Sequence, residues 1–398
     1  MEMNYMFELT ITPALIALYS VAFACVLYLL FGMRRYAAGI VRKAAADTAC
    51  KPQADVGMPG VSVIVYSNDD AWNLESYLRS ILSQNYNGQM EVIVVNDGAA
   101  AATEAVVGRL EEEYGNLYMT FTPTASRNLS RKKLAITLGI KAARYEIVLL
   151  TEGNCRISST DWLTSMMRHF AQGKEVVIGY AHITGGEDAE ETFGKCIRDF
   201  DSLYTSLKYL SWAIAGRLYR GNSFNLAYRR SLFFKNKGFS RSLNLKYGDD
   251  DIFLSEIADG ENTAVELSAD SIVSVVESNP AKAHAEDKRQ HDFTRKYIHQ
   301  SADFFYGLSL WSWWILIGCL VAGGIIGYPG LIPAIVSGVL FLLTAIPLMV
   351  TFNKMSRRLR GNRMLWSVPF LLLFEPIYNM WYKAGSGRHR SRNLTSGI

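Results

Sequence analysis

Hydrophobic positions along this chain fall into two kinds of run. From Leu9 to Met33 no charged residue interrupts the apolar sequence, and from Phe304 to Asn353 none does so again. About 20 apolar residues span a bilayer, so the first run predicts one membrane helix. The second is long enough for two, with Gly327-Tyr328-Pro329-Gly330 as the turn between them. The runs in the intervening stretch are short and β-branched: Val61–Val65, Met90–Val95, Glu146–Leu150 and Glu175–Gly179. Such runs read as strands buried on both faces of a parallel sheet. Helical patterns lie between them, over Asn73–Ser83, Thr103–Tyr114 and Lys132–Ala143. Alternating strand and helix predicts a doubly wound α/β domain. The resulting layout is a membrane helix over 9–33, a linker over 34–59 and an α/β domain over 60–300. A two-helix membrane hairpin over 304–353 and a basic tail over 354–398 complete it.

Charge placement orients this layout. The 398 residues carry a formal net charge of +4. Arg34, Arg35, Arg42 and Lys43 follow the first span, and Lys354, Arg357, Arg358, Arg360 and Arg363 follow the hairpin. The hairpin turn has no basic residue. Lysine and arginine concentrate on the cytoplasmic side, so residues 34–303 are expected there, on the inner membrane of a bacterial-type cell. A secretory signal is the weaker reading of the first run, which lacks a basic leader and is too long. The apolar segment 364–382 contains Pro369, Glu375 and Pro376 between basic flanks, which favours an interfacial or re-entrant element over a further span that tolerates one buried acid. Cys25, Cys50, Cys155, Cys196 and Cys319 show neither metal-ligand spacing nor a disulfide framework. No nucleic-acid motif is present.

Ligands of open α/β sheets bind beyond the carboxyl ends of the strands. There the chain places Ser67, Asn68, Asp69 and Asp70, then Asn96, Asp97 and Gly98, then Glu152, Gly153 and Asn154. Lys132 and Lys133 open the helix before the third strand. A denser acidic set follows at Tyr247-Gly248-Asp249-Asp250-Asp251, where a loop enters an amphipathic helix. This is a candidate for general-base chemistry; acids also suit the positive end of a helix dipole. A further helical pattern, Phe193–Ala215, carries Asp199-Phe200-Asp201 on a polar face. Its Leu203, Tyr204, Leu207, Tyr209, Leu210 and Trp212 suit membrane contact, an acceptor wall or plain core packing.

The order of these motifs resembles the family 2 glycosyltransferases, in their membrane-bound bacterial form. It runs Val61-Ser62-Val63-Ile64-Val65, Val94-Val95-Asn96-Asp97-Gly98, Lys132-Lys133-Leu134-Ala135-Ile136-Thr137-Leu138-Gly139 and Leu149-Leu150-Thr151-Glu152-Gly153-Asn154. Arg220-Gly221-Asn222-Ser223-Phe224-Asn225 and the acidic triplet close the series, over residues 60–300 in all. The resemblance implies the GT-A fold, a Rossmann-like doubly wound mixed sheet. It implies a nucleotide-diphosphate sugar donor, by preference a UDP-sugar, and a lipid-linked or glycan acceptor in envelope polysaccharide biosynthesis. Carried over residue by residue, Asp97 contacts uracil or ribose, with Ser67, Asp70 and Asn96 in the same pocket. Lys132 faces the phosphates, while Lys288, Arg289 and His291 hold the leaving diphosphate or form a solvated basic face. Glu152 and Asn154 take the two ends of the motif that binds Mg²⁺ or Mn²⁺, with a neutral amide in place of one carboxylate. Asp250 becomes the general base of an inverting displacement, supported by Asp249 and Asp251. The Gln-x-x-Arg-Trp motif of processive synthases is poorly matched around His284, Asp287, Lys288, Arg289, Gln290 and His291, so single-sugar transfer is favoured. A processive synthase, or a degenerate nucleotide-sugar-binding scaffold, are the alternatives.

Overall fold

The computed structural model describes residues 12–50, 57–68, 73–98, 100–123, 130–185, 192–298, 301–328 and 330–386. Asp70, most of the apolar-to-strand connection at 51–56, and Pro329 of the expected hairpin turn lie outside the described residues. The described chain forms two compact units.

The larger unit, Lys43–Arg198 with Trp212–Gln300, is α/β. Its strands are β1 (Val61–Ser67), β2 (Met90–Asn96), β3 (Leu117–Phe121), β4 (Ile147–Glu152) and β5 (Cys155–Ile157). They continue with β6 (Val176–Ile178), β7 (Ala181–Thr184), β8 (Leu226–Arg229), β9 (Thr263–Val265) and β10 (Val273–Val276). Seven form one sheet in the order β3-β2-β1-β4-β8-β6-β9, and β5-β10-β7 form a second. β1 pairs in parallel with both β2 and β4, which aligns Ser67 with Asn96 and Tyr66 with Glu152 across the strand ends. The polar groups after the first three expected strands therefore share one edge.

Alternation along the strands explains the two covered faces. Val61, Val63 and Val65 pack with Leu74, Leu78, Val107 and Leu110 of the helices Leu74–Leu82 and Ala101–Glu113. Ile64 and Val95 face the helix Arg131–Ala142, which approaches so closely that a Cβ on Gly139 would stand 2.6 Å from Ile64 Cγ2. One expectation needs correction. The run at 175–179 does not join the parallel strands directly, because β8 inserts antiparallel to both β4 and β6. Strands of three or four residues carry too little periodicity to announce their direction.

The other unit is helical and takes in the chain up to Arg42, Asp199–Ser211 and Ser301–Ala384. Among the described residues, three helices are long and apolar enough to cross a membrane: Pro13–Ala49, Ser301–Ile326 and Leu331–Arg358. The first passes through a π-helical turn at Leu29–Met33 and continues to Ala49, so the stretch expected as linker begins as helix. Ile16, Phe23, Phe31, Trp311, Ile335 and Leu343 stand exposed on these helices, as lipid-facing side chains would. Tyr19 ties two of them, donating its hydroxyl to the Pro333 carbonyl at 2.6 Å. A further helix, Val368–Ser386, carries the buried Glu375, which accepts a 2.9 Å bond from Asn379 Nδ2. Within Asp199–Ser211, plain core packing holds. Phe200, Leu203, Tyr204, Leu207 and Leu210 are buried, Phe200 stacks on Phe352, and Tyr204 donates to the Tyr306 carbonyl at 2.9 Å.

Candidate active site

Two turns and one helix start build the site. β2 ends in Asn96-Asp97, and Gly98 turns the chain with φ +97°. Asn96 closes this turn itself: its Oδ1 accepts from the Ala100 amide and its Nδ2 donates to the Ala100 carbonyl, both at 3.1 Å. Ser67 meets Thr103 at 3.4 Å. Asn96 thus serves its own turn, while Ser67 leans on the helix Ala101–Glu113. Asp97 is different. Its Oδ1 accepts from Arg131 Nη2 at 2.6 Å and Thr122 Oγ1 at 2.6 Å, and its Oδ2 from the Tyr66 hydroxyl at 2.8 Å. Burial raises its carboxyl, but bonds from Arg131, Thr122 and Tyr66 outweigh that and hold it below the ordinary range.

Lys132 and Lys133 are neighbours in sequence and serve different places. Successive helical residues point about 100° apart. Lys133 is fully buried and donates to the carbonyls of Ser242, Leu245 and Tyr247 at 2.6, 3.2 and 2.7 Å. Burial pushes its amine down to about 8, and it pins the segment that leads into the acidic triplet. Lys132 reaches the strand edge, where its Nζ meets Glu152 Oε1 at 2.7 Å, Asp249 Oδ2 at 3.0 Å and Ser223 Oγ at 2.8 Å.

Gly248 makes the triplet possible. Its φ is +99°, open to glycine at little cost, and a Cβ there would stand 2.5 Å from Ile252 Cδ1. Asp249, Asp250 and Asp251 are all buried. Asp250 caps the helix Asp251–Ile257, accepting from the Asp251 amide at 2.8 Å. The dipole-end reading of these acids is therefore physically present, but it does not exhaust Asp250. Gln290 Nε2 donates to both of its oxygens, at 3.0 and 3.3 Å. Burial first, then the neighbouring Asp249 charge, pushes Asp250 up to about 6. Asp249 goes the other way, because Lys132 and Lys133 overcome its burial. Asp251 accepts from Thr294 at 2.8 Å and lies 3.5 Å from Arg220 Nε.

The helix Pro280–Thr294 lays Gln290 and Thr294 on one face, four residues apart, over the triplet. Sequence reading did not place either residue in the site; their i,i+4 spacing was the available signal. Of the basic set expected on that helix, His291 pairs with Asp287 at 3.2 Å and Arg289 with Glu286 at 2.8 Å. Lys288 is half-buried beside them. Arg131 and Thr122 beside Asp97 were not singled out, and Tyr66, Arg220 and Ser223, which lie within the motifs, received no role of their own.

The expected metal pair does not fit a divalent ion as placed. Glu152 is ion-paired with Lys132, and Asn154 turns its Nδ2 to Glu277 Oε1 at 2.9 Å, leaving its Oδ1 near the Cys155 thiol at 3.8 Å. A cation wants oxygens, and the amide presents a donor toward the nearest carboxylate. Among the described residues no three His, Cys, Asp or Glu side chains converge on one point.

Residues 62–244 match the family described as Glycosyl transferase family 2. An N-acetylglucosaminyltransferase of Bradyrhizobium sp. (strain ANU 289) is 32% identical over 115 residues, 29% of this chain and 72% of that one. One of Bradyrhizobium elkanii is 31% identical over 116 residues, 29% of this chain and 62% of that one. In fold, the chain is similar to the mannosyltransferase PcManGT from Pyrobaculum calidifontis, solved with GDP-Man and Mn²⁺. The TM-score is 0.52 at 18% identity, over 92% of this chain and 99% of that one. The family match and the relatives at 31–32% identity show that the chain belongs to the family 2 glycosyltransferases.

Proposed function

We propose that this enzyme transfers one sugar, with inversion, from a UDP-sugar to a hydroxyl of a lipid-linked or glycan acceptor. The observation that carries this reading is Asp250: a buried carboxylate, held at both oxygens by one amide and pushed up to about 6, beside a strand edge rich in polar groups. A base tuned toward the working pH is what proton abstraction needs. Asp250 takes the proton of the acceptor hydroxyl as its oxygen attacks the anomeric carbon. The bond from that carbon to the diphosphate oxygen breaks, and the electron pair leaves with the nucleoside diphosphate. One attack from the face opposite the leaving group inverts the centre. Gln290 holds Asp250 in line, Asp251 is braced by Thr294 and Arg220, and Asp97 receives the nucleotide. No step is routed through a metal.

Both curated relatives are named as N-acetylglucosaminyltransferases, so UDP-N-acetylglucosamine is the first donor to test. Purified full-length protein should slowly hydrolyse one member of a nucleotide-sugar panel, and that member should bind with measurable heat. A panel without any hydrolysis or binding removes the donor assignment.

The same reading places the α/β unit on the cytoplasmic side of an inner membrane, on the basic residues after the first and third candidate spans. A cysteine at the exposed Lys235 position should escape an impermeant thiol reagent in intact cells and react after lysis. Labelling in intact cells reverses the orientation.

A further inference from the structure

The acidic edge of the site already contains a cation. Lys132 Nζ has three N–H donors and three oxygens around it: Glu152 Oε1, Asp249 Oδ2 and Ser223 Oγ, at 2.7, 3.0 and 2.8 Å. The Phe224 ring lies 5.5 Å from the same nitrogen. Glu152 and Asp249 come from separate elements, the end of β4 and the turn after Gly248, and the ammonium joins them. Asp249 is nearly inaccessible, and Glu152 only slightly more exposed, with side chains 4% and 15% accessible. Two like charges so placed repel strongly without a cation between them. Asn154, meanwhile, offers its amide nitrogen to Glu277 rather than an oxygen to this edge.

We infer that Lys132 is the resident cation of the site: its ammonium fills the position between the Glu152 and Asp249 carboxylates, and the free protein takes up no divalent ion there. Any divalent ion that takes part in transfer then arrives with the donor's diphosphate instead of being loaded beforehand. The inference concerns the same site as the proposed transfer and rests on that reading only for its consequence. Its test needs neither donor nor acceptor, so the two stand or fall separately.

The test titrates Mn²⁺ into detergent-solubilised full-length protein without nucleotide and follows the free-ion signal by electron paramagnetic resonance. Wild type should leave that signal unchanged. Lys132→Gln removes the charge and keeps much of the chain length, so it should bind about one equivalent of Mn²⁺, tighter than wild type by an order of magnitude or more. Lys132→Arg keeps the charge and should bind none. Adding Glu152→Gln to the Lys132→Gln variant should abolish the new binding, which ties it to this edge. Wild-type protein that binds Mn²⁺ as tightly as Lys132→Gln overturns the inference, and this needs no variant to fold. So does a Lys132→Gln variant with native circular dichroism and melting that still binds no Mn²⁺.

Discussion

Asp250→Asn is expected to slow sugar transfer by about 10²- to 10⁴-fold while leaving donor affinity near wild type. Asparagine keeps an oxygen to accept the Asp251 amide at the helix cap, so the fold loses little. What it loses is the group that takes the acceptor's proton. Asp97→Ala should give the opposite pattern, weakening donor binding first, because the charge held by Arg131, Thr122 and Tyr66 disappears from the strand edge. Because burial and Asp249 raise Asp250 to about 6, kcat/KM of wild type should rise with pH through that value, as the base ionises. Gln290→Leu removes a hydrogen bond to the ionised form and should move this limb to higher pH. A transfer rate at wild-type level in Asp250→Asn, measured with the donor found by the panel, sinks the catalytic assignment. A joint fall of melting temperature and donor affinity would mean that the triplet is structural.

The second large effect is on folding. Glu266 follows β9 and is fully buried between Arg168 and His169 of the helix Trp162–Ala171. Its Oε2 accepts from Arg168 Nη2 at 2.5 Å and lies 2.7 Å from His169 Nε2, while its Oε1 accepts from the Ser268 amide at 2.8 Å. Arg168 also donates to the carbonyls of Asp47, at 3.2 Å, and Cys50, at 2.8 Å. Glu266→Ala leaves the buried Arg168 guanidinium with only the more distant Asp47 carboxylate, at 3.6 Å, and removing one partner of such a buried pair costs about 3–5 kcal/mol. The melting temperature should fall accordingly, with a smaller loss when Arg168 is replaced by Met in the same protein. Burial raises the Glu266 carboxyl, but the His169 bond and Arg168 charge prevail and hold it near 2, against 4.5 when unfolded. Between those values the unfolded chain binds more protons than the native one, so this contribution is complete above about 4.5 and is lost as pH falls toward 2. Melting curves across that window should lose their steepest pH dependence in Glu266→Gln. An unchanged profile would show that the knot does not carry the charge.

Much of this architecture could be read from local pattern. The runs at 61–65, 90–95 and 146–150 are β1, β2 and β4, parallel and adjacent as their unbroken apolar character required. The helices between them begin and end within two residues of their hydrophobic patterns. Because a parallel sheet sends every carboxyl end to the same side, the acids and amides after those strands had to share an edge. Uncharged runs likewise sufficed to mark the three candidate membrane helices, since length and composition are all that such a span requires.

The antiparallel β8, the second sheet and the partners of the site were not legible in this way. β8 owes its place to both neighbours, and four residues cannot encode that. Gln290 reaches Asp250 across 40 positions, Thr294 reaches Asp251 across 43, and Lys132 reaches Ser223 across 91. Nothing local distinguishes Lys132 from Lys133. The turn of the helix sends one amine to the acidic edge and the other among the carbonyls of Ser242, Leu245 and Tyr247, and the two acquire opposite shifts. The sequence by itself determined which chemical groups reach the edge of the sheet, because strand direction and side-chain alternation are local. Which of those groups neutralise one another depended on burial and on distances of about 3 Å between segments far apart in the chain, and only the tertiary structure decided that.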